Sequence, residues 1–212
     1  MNLNDFMHEN YPNLQLRPPL FYNWGIGIRF ELGLEKEWFF DSSNNLYVLG
    51  CYNRAITLFE SLHSPTDDIF VVMDMNNFDV RKKLKRQLQN FSPYIKKSLF
   101  YSLKHQELPF IFPEDDEDGT RKTNRFTLTC KTMDLNHVAL LKAVCNQDLG
   151  FNPSISHNVY VINIQKKTIF HTYDDRGCDV LATSPAAIKE IYTKYSDWIL
   201  DYDRVEIDKL FE

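Results

Sequence analysis

The feature that most constrains this fold is a pair of β-rich runs, Val159-Tyr160-Val161-Ile162-Asn163-Ile164 and Thr168-Ile169-Phe170-His171-Thr172-Tyr173, joined only by Gln165-Lys166-Lys167. So short a connection lets the two runs pair as an antiparallel hairpin, because a parallel crossover needs a dozen residues or more. A second reversal at Asp174-Asp175-Arg176-Gly177 uses turn residues and leads into Val180-Leu181-Ala182-Thr183. The expectation is a three-stranded meander in the C-terminal third.

Upstream, helical and strand patterns alternate. Asn4 to Asn10 suits a short helix. In Trp24–Leu32 the residues Ile26, Ile28, Phe30 and Leu32 share one face, as in a half-buried strand. The turn-like Asp41-Ser42-Ser43-Asn44-Asn45 precedes a helix whose apolar stripe is Val48, Tyr52, Ala55, Ile56, Phe59 and Leu62, closed by Pro65. Ile69-Phe70-Val71-Val72-Met73 has the continuous apolar character of a central strand. Residues 80–90 suit a basic helix, and Leu99–Leu103 and Phe126–Cys130 suit strands. Asn136 is placed to cap a helix through Cys145. Ser184-Pro185 starts a last helix, with Asp197–Phe211 either its continuation or a second one. The fold class expected is α+β: one domain over residues 1–212, a mixed or antiparallel sheet flanked by helices, and a flexible acidic loop at 114–121.

Composition narrows the function classes. Aromatic residues make up 14% of the chain, enough to fill a core and incompatible with disorder throughout. The net charge of −5 opposes long-range attraction to nucleic acid or anionic membrane and mildly favours a basic partner. Cys51, Cys130, Cys145 and Cys178 are widely spaced, with no C-x-x-C pair and no dense disulfide framework. The N-terminal residues lack a basic n-region and apolar h-region, and no run of about 18 apolar residues occurs. A cytoplasmic location without membrane association is expected.

Two segments concentrate chemistry. His171-Thr172-Tyr173-Asp174-Asp175-Arg176-Gly177-Cys178-Asp179 holds an imidazole, three carboxylates, a guanidinium and a thiol. A catalytic reading makes His171 a general base oriented by one of the segment's carboxylates, with Arg176 holding a phosphate or carboxylate. A cation reading gathers Asp174, Asp175 and Asp179. A plain reading treats Asp-Asp-Arg-Gly as turn chemistry. In the second segment, Asp197, Asp201 and Asp208 share a face if the chain is helical there, with Asp203 and Arg204 beside them. Trp198, Ile199, Tyr202 and Val205 then form a core-facing stripe.

Other signals are weaker. Arg81, Lys82, Lys83, Lys85 and Arg86, continued by Lys96 and Lys97, form the one candidate phosphate-binding patch, with Phe91 and Tyr94 as its only aromatics. Gly25-Ile26-Gly27 lies inside a strand pattern and lacks the third glycine of a dinucleotide loop. The six histidines show no metal-ligand spacing, so neither metal nor cofactor is expected. Cys178, near His171 and Arg176, is the one thiol with an activating neighbourhood in sequence.

Leu16-Arg17-Pro18-Pro19-Leu20-Phe21, Gly27-Ile28-Arg29-Phe30-Glu31-Leu32-Gly33, Arg54-Ala55-Ile56-Thr57-Leu58-Phe59 and Cys145-Asn146-Gln147-Asp148 resemble a bacterial family of Bacillus-like Gram-positive organisms, domain of unknown function 3885. So do Ile169-Phe170-His171-Thr172-Tyr173-Asp174-Asp175-Arg176-Gly177 and Asp197-Trp198-Ile199-Leu200-Asp201-Tyr202-Asp203-Arg204. The resemblance spans nearly the full length and implies kinship of fold; it carries no activity. The expectation from the residues is a non-enzymatic protein-binding factor of immunity, antitoxin or anti-defence type, using Asp197, Asp201, Asp203, Arg204 and Asp208 against another protein. The alternative is a hydrolase or nucleotide-directed enzyme using His171, Asp174, Asp175 and Arg176.

Overall fold

The computed structural model describes residues 1–33, 46–77 and 91–212. Seven strands form one antiparallel sheet: β1 (Gly27–Glu31), β2 (Asp68–Asn77), β3 (Lys104–Pro109), β4 (Lys122–Lys131), β5 (Asn158–Asn163), β6 (Thr168–Thr172) and β7 (Gly177–Ala182). Their spatial order is β1-β7-β6-β5-β2-β4-β3. The α+β class and the C-terminal meander are both present. Asn163 builds the first hairpin turn, since its Oδ1 accepts the N–H groups of Gln165 (3.1 Å) and Lys166 (2.9 Å). The run Ile69–Met73 is central as expected, paired with β4 on one side and β5 on the other.

Five α-helices accompany the sheet among the described residues: α1 (Leu3–Asn10), α2 (Leu46–Leu62), α3 (His137–Cys145), α4 (Lys189–Lys194) and α5 (Arg204–Asp208). Asn2 caps α1 by accepting the Asp5 N–H at 2.9 Å, and Asn136 caps α3 by accepting the Ala139 N–H at 3.3 Å. Both faces of the sheet are covered. Ile28, Phe30, Val71, Met73, Leu128, Val161, Phe170 and Val180 pack in one core with Ala55, Phe59, Leu141 and Val144 of α2 and α3. Phe70, Val72, Tyr160, Ile162, Ile169 and Leu181 meet Leu3, Phe6, Tyr11, Leu16 and Leu20 in a second core on the other face. Burial on two faces explains why β6 and β7 are buried at every position instead of alternating.

Three expectations are corrected. Leu99–Leu103 lies mostly in a 3₁₀ helix, Lys97–Ser102; the strand is β3, just after it. Lys104-His105-Gln106-Glu107 carries no apolar alternation because an edge strand pairs on one side only and is exposed. The segment after Ser184 is neither one helix nor two. It breaks into 3₁₀ turns at Pro185–Ala187, Ser196–Trp198 and Asp201–Asp203, with the short α4 and α5 between and after them. The break at Ile199 has a tertiary cause: Ile199 bridges Phe30, and the Leu200 N–H donates to the Arg29 carbonyl at 3.0 Å, covering the outer edge of β1. Finally, Tyr202 and Val205 do not face the core. The turn expected at residues 41–45 and the basic residues Arg81, Lys82, Lys83, Lys85 and Arg86 lie outside the described residues.

Candidate functional site

The β6–β7 turn brings the residues of the first candidate close in sequence and then points them apart. Asp174 closes the turn on itself: Oδ1 accepts the Arg176 N–H at 2.8 Å, and Oδ2 accepts Arg176 Nε at 2.9 Å and Nη2. Asp175 turns toward α2, where its Oδ2 accepts the Tyr47 hydroxyl at 2.6 Å. Gly177 is required by close approach. A Cβ there would lie 2.8 Å from the Phe30 carbonyl oxygen and against the Tyr173 hydroxyl. The Arg176 side chain is 72% exposed, with Asp148 3.8 Å away.

His171 is fully buried inside the sheet. Its Nδ1 lies 2.9 Å from the Val159 carbonyl, which can only accept, so Nδ1 carries the proton and Nε2 is left as a buried acceptor without a described partner. Burial pushes its pKa down to about 4, so the ring is neutral at pH 7. Asp179 faces His171 across the β6–β7 pair, yet its carboxylate binds Arg29 Nε (3.3 Å) and the Phe21 N–H (3.1 Å). His171 therefore has no carboxylate orienting it. The hydrogen bonds described for Asp174, Asp175 and Arg176 go to one another, to Tyr47 and to the turn, and none of them reaches the His171 ring. Cys178 is fully buried, and burial followed by the neighbouring Asp179 pushes its thiol pKa well up, the opposite of activation.

Arg29 organises a polar tie that the sequence reading missed. Its Nη1 donates to the Tyr22 hydroxyl at 2.8 Å and lies 3.5 Å from Asp203 Oδ2. Tyr22 in turn donates to Asp203 Oδ1 at 3.0 Å. The guanidinium also sits over the rings of Tyr22 (4.9 Å) and Tyr173 (5.6 Å). Burial raises the Asp179 pKa above the usual carboxylate value, against the opposing pull of Arg29. Asp203 is thus an inward clamp between the C-terminal segment, Tyr22 and β1, and it is buried.

The remaining C-terminal candidates sit around this clamp. Arg204 donates from Nη2 to the carbonyls of Ser196 (3.0 Å) and Ile199 (3.2 Å), fastening the two 3₁₀ turns together, and pairs with Asp201 through Nε at 3.1 Å. Asp208 is half-buried and accepts the Tyr192 hydroxyl at 2.9 Å. Asp197 and Asp201 are exposed. Beside them Tyr202 is 85% exposed, Val205 68% and Tyr22 54%. The outward surface is therefore aromatic and acidic, and two of its members, Tyr202 and Val205, are ones that helical periodicity assigned to the core. Among the described residues, no group of three or more His, Cys, Asp or Glu side chains could hold a metal ion, and no helix is long and apolar enough to cross a membrane. The four cysteines are free and buried.

Comparison with known proteins follows the whole chain and not one site. The family described as domain of unknown function (DUF3885) matches residues 3–203. The chain is 34% identical to Uncharacterized protein YnaE of Bacillus subtilis (strain 168), over 95% of this chain and 99% of that protein. No solved structure matches.

Proposed function

This chain belongs to the domain of unknown function 3885 family, and from its C-terminal surface we propose that it is a non-enzymatic factor that binds another protein. The observation that carries the proposal is the exposure of Tyr202 and Val205 on α5 and the turn before it, ringed by Asp197, Asp201 and Glu206. Exposed tyrosine with a polar rim is the composition of an interface centre, because the ring supplies large contact area at little entropic cost. Residues 195–212 contain six acids and two bases, so the fitting partner presents a basic surface. A basic effector neutralised by an immunity, antitoxin or anti-defence factor is a partner of that kind.

The surface is also held in place before any partner arrives. Arg204 joins the two turns through backbone carbonyls, and Asp203 ties them to Tyr22 and Arg29. A rigid presentation reduces the ordering cost of association. The test is affinity capture from host lysate with the tagged wild type, Tyr202→Ala and Asp197→Asn/Asp201→Asn, at low and high salt. One stoichiometric basic protein, lost in both variants and weakened by salt, is the expected result. Capture that survives both variants, or no retained protein at low salt, overturns the reading.

A further inference from the structure

At the opposite edge of the sheet, an open groove of about 530 Å³ runs between α1 with the chain after it and β3 with the chain after it. Its volume falls in the range typical of small-molecule sites, on the order of 300–1,000 Å³. Met7 and Leu14 line one wall, and Leu108, Phe110 and Ile111 the other. Arg125 of β4 is the charged group set among them. Its Nε and Nη2 hold Asp74 at 2.7 and 2.5 Å, and Nη2 also reaches the Leu16 carbonyl at 3.3 Å. Asp74 is buried, which fixes the guanidinium plane. Nη1 is the one guanidinium nitrogen that engages no described residue. A second guanidinium, Arg17, also lines the groove and is held against Glu114 and over the Phe112 ring. No aspartate or glutamate lines the groove, on a chain whose net charge is −5.

An apolar trough with fixed N–H donors and no lining carboxylate fits a molecule with an apolar body and one acceptor head. We propose that this groove binds a monocarboxylate bearing a single alkyl chain, its carboxylate on Arg125 Nη1 and its chain along Met7, Leu14, Leu108 and Phe110. The site is separate from the C-terminal surface, so Tyr202→Ala leaves it unchanged.

Isothermal titration with dodecanoate below its micellar range, and with dodecanol as the neutral partner, tests the assignment. One saturable site is expected for dodecanoate. Dodecanol binds roughly ten-fold more weakly or worse, as the loss of a charge-assisted hydrogen bond requires. Met7→Trp fills the trough and abolishes binding. Leu108→Asp, at the half-buried position of edge strand β3, repels the head and also abolishes binding, with an unfolding midpoint measured alongside to show that the variant is folded. Absence of saturable binding, equal affinity for dodecanoate and dodecanol, or binding unchanged in Leu108→Asp overturns the proposal.

Discussion

The β6–β7 turn and the C-terminal segment are both dense in aspartate and arginine, and the structure uses them in opposite ways. In the turn, Asp174 binds its own Arg176 and Asp175 binds Tyr47 of α2, and in β7 just after it Asp179 accepts from Arg29. In the C-terminal segment Asp203 turns inward and Asp208 is half-buried against the Tyr192 hydroxyl, while Asp197, Asp201, Tyr202 and Val205 stay exposed. Charge density in sequence marks where polar groups are needed. Whether they hold the chain together or meet a partner depends on which backbone groups and counter-charges the fold sets beside them.

The sharpest way to break this comparison is to remove a carboxylate from each region. Asp179 is fully buried, and Asp179→Ala would leave Arg29 largely desolvated beside a missing partner, a loss of about 3–5 kcal/mol. Denaturant unfolding should show it as a large fall in midpoint at unchanged slope. Asp201→Ala, at an exposed position, should move the midpoint by no more than roughly 0.5 kcal/mol. Comparable losses would mean that the C-terminal acids are structural too.

The second effect is acid lability. His171 is neutral in the fold, with its pKa held at about 4 by burial, against an unfolded value of 6.5. The unfolded chain therefore takes up a proton first as pH falls. The stability contribution is full above pH 6.5, declines between 6.5 and about 4, and is gone below that, a change of about 3 kcal/mol. His63, also pushed down to about 4 by burial, adds to the same window. Stability measured against pH should have a shallower slope in His171→Leu by about one proton. An unchanged slope would show that His171 is already charged in the native state.

Much of this architecture was legible locally, and most of the failures come from contacts distant in sequence. The hairpin, the central strand and the cap at Asn136 rest on residues within a few positions of one another. The break at Ile199 does not: it depends on Phe30, far away in the chain, offering an edge that the segment covers. The same bridge rotates Tyr202 and Val205 outward, against a helical stripe that would have buried them. Arg29, Tyr22 and Asp203 form a tie across most of the chain length, and no spacing rule announces it. β3 escaped because an exposed edge strand needs no apolar pattern.

A smaller effect separates the two aspartates of the turn. Asp174→Ala removes the acceptor for the Arg176 N–H and guanidinium. Because Arg176 is largely exposed and water can replace the partner, the loss should be about 1 kcal/mol. Thermal unfolding would register this as a modest shift, and a larger one would mean that Asp174 anchors more than its own turn.

The smallest stability effect carries the largest functional one. Tyr202→Ala removes an 85%-exposed ring that supports no buried group, so its unfolding midpoint should match wild type within roughly 0.5 kcal/mol. If the C-terminal surface is an interface centre, the same substitution should weaken partner binding by about 2 kcal/mol or more, some thirty-fold. The ratio of the two effects is the discriminating quantity. A residue that holds the fold loses stability and binding together. A residue that meets a partner loses binding alone, and a Tyr202→Ala protein that is both as stable and as well bound as wild type would leave the exposed aromatic patch without the role assigned to it.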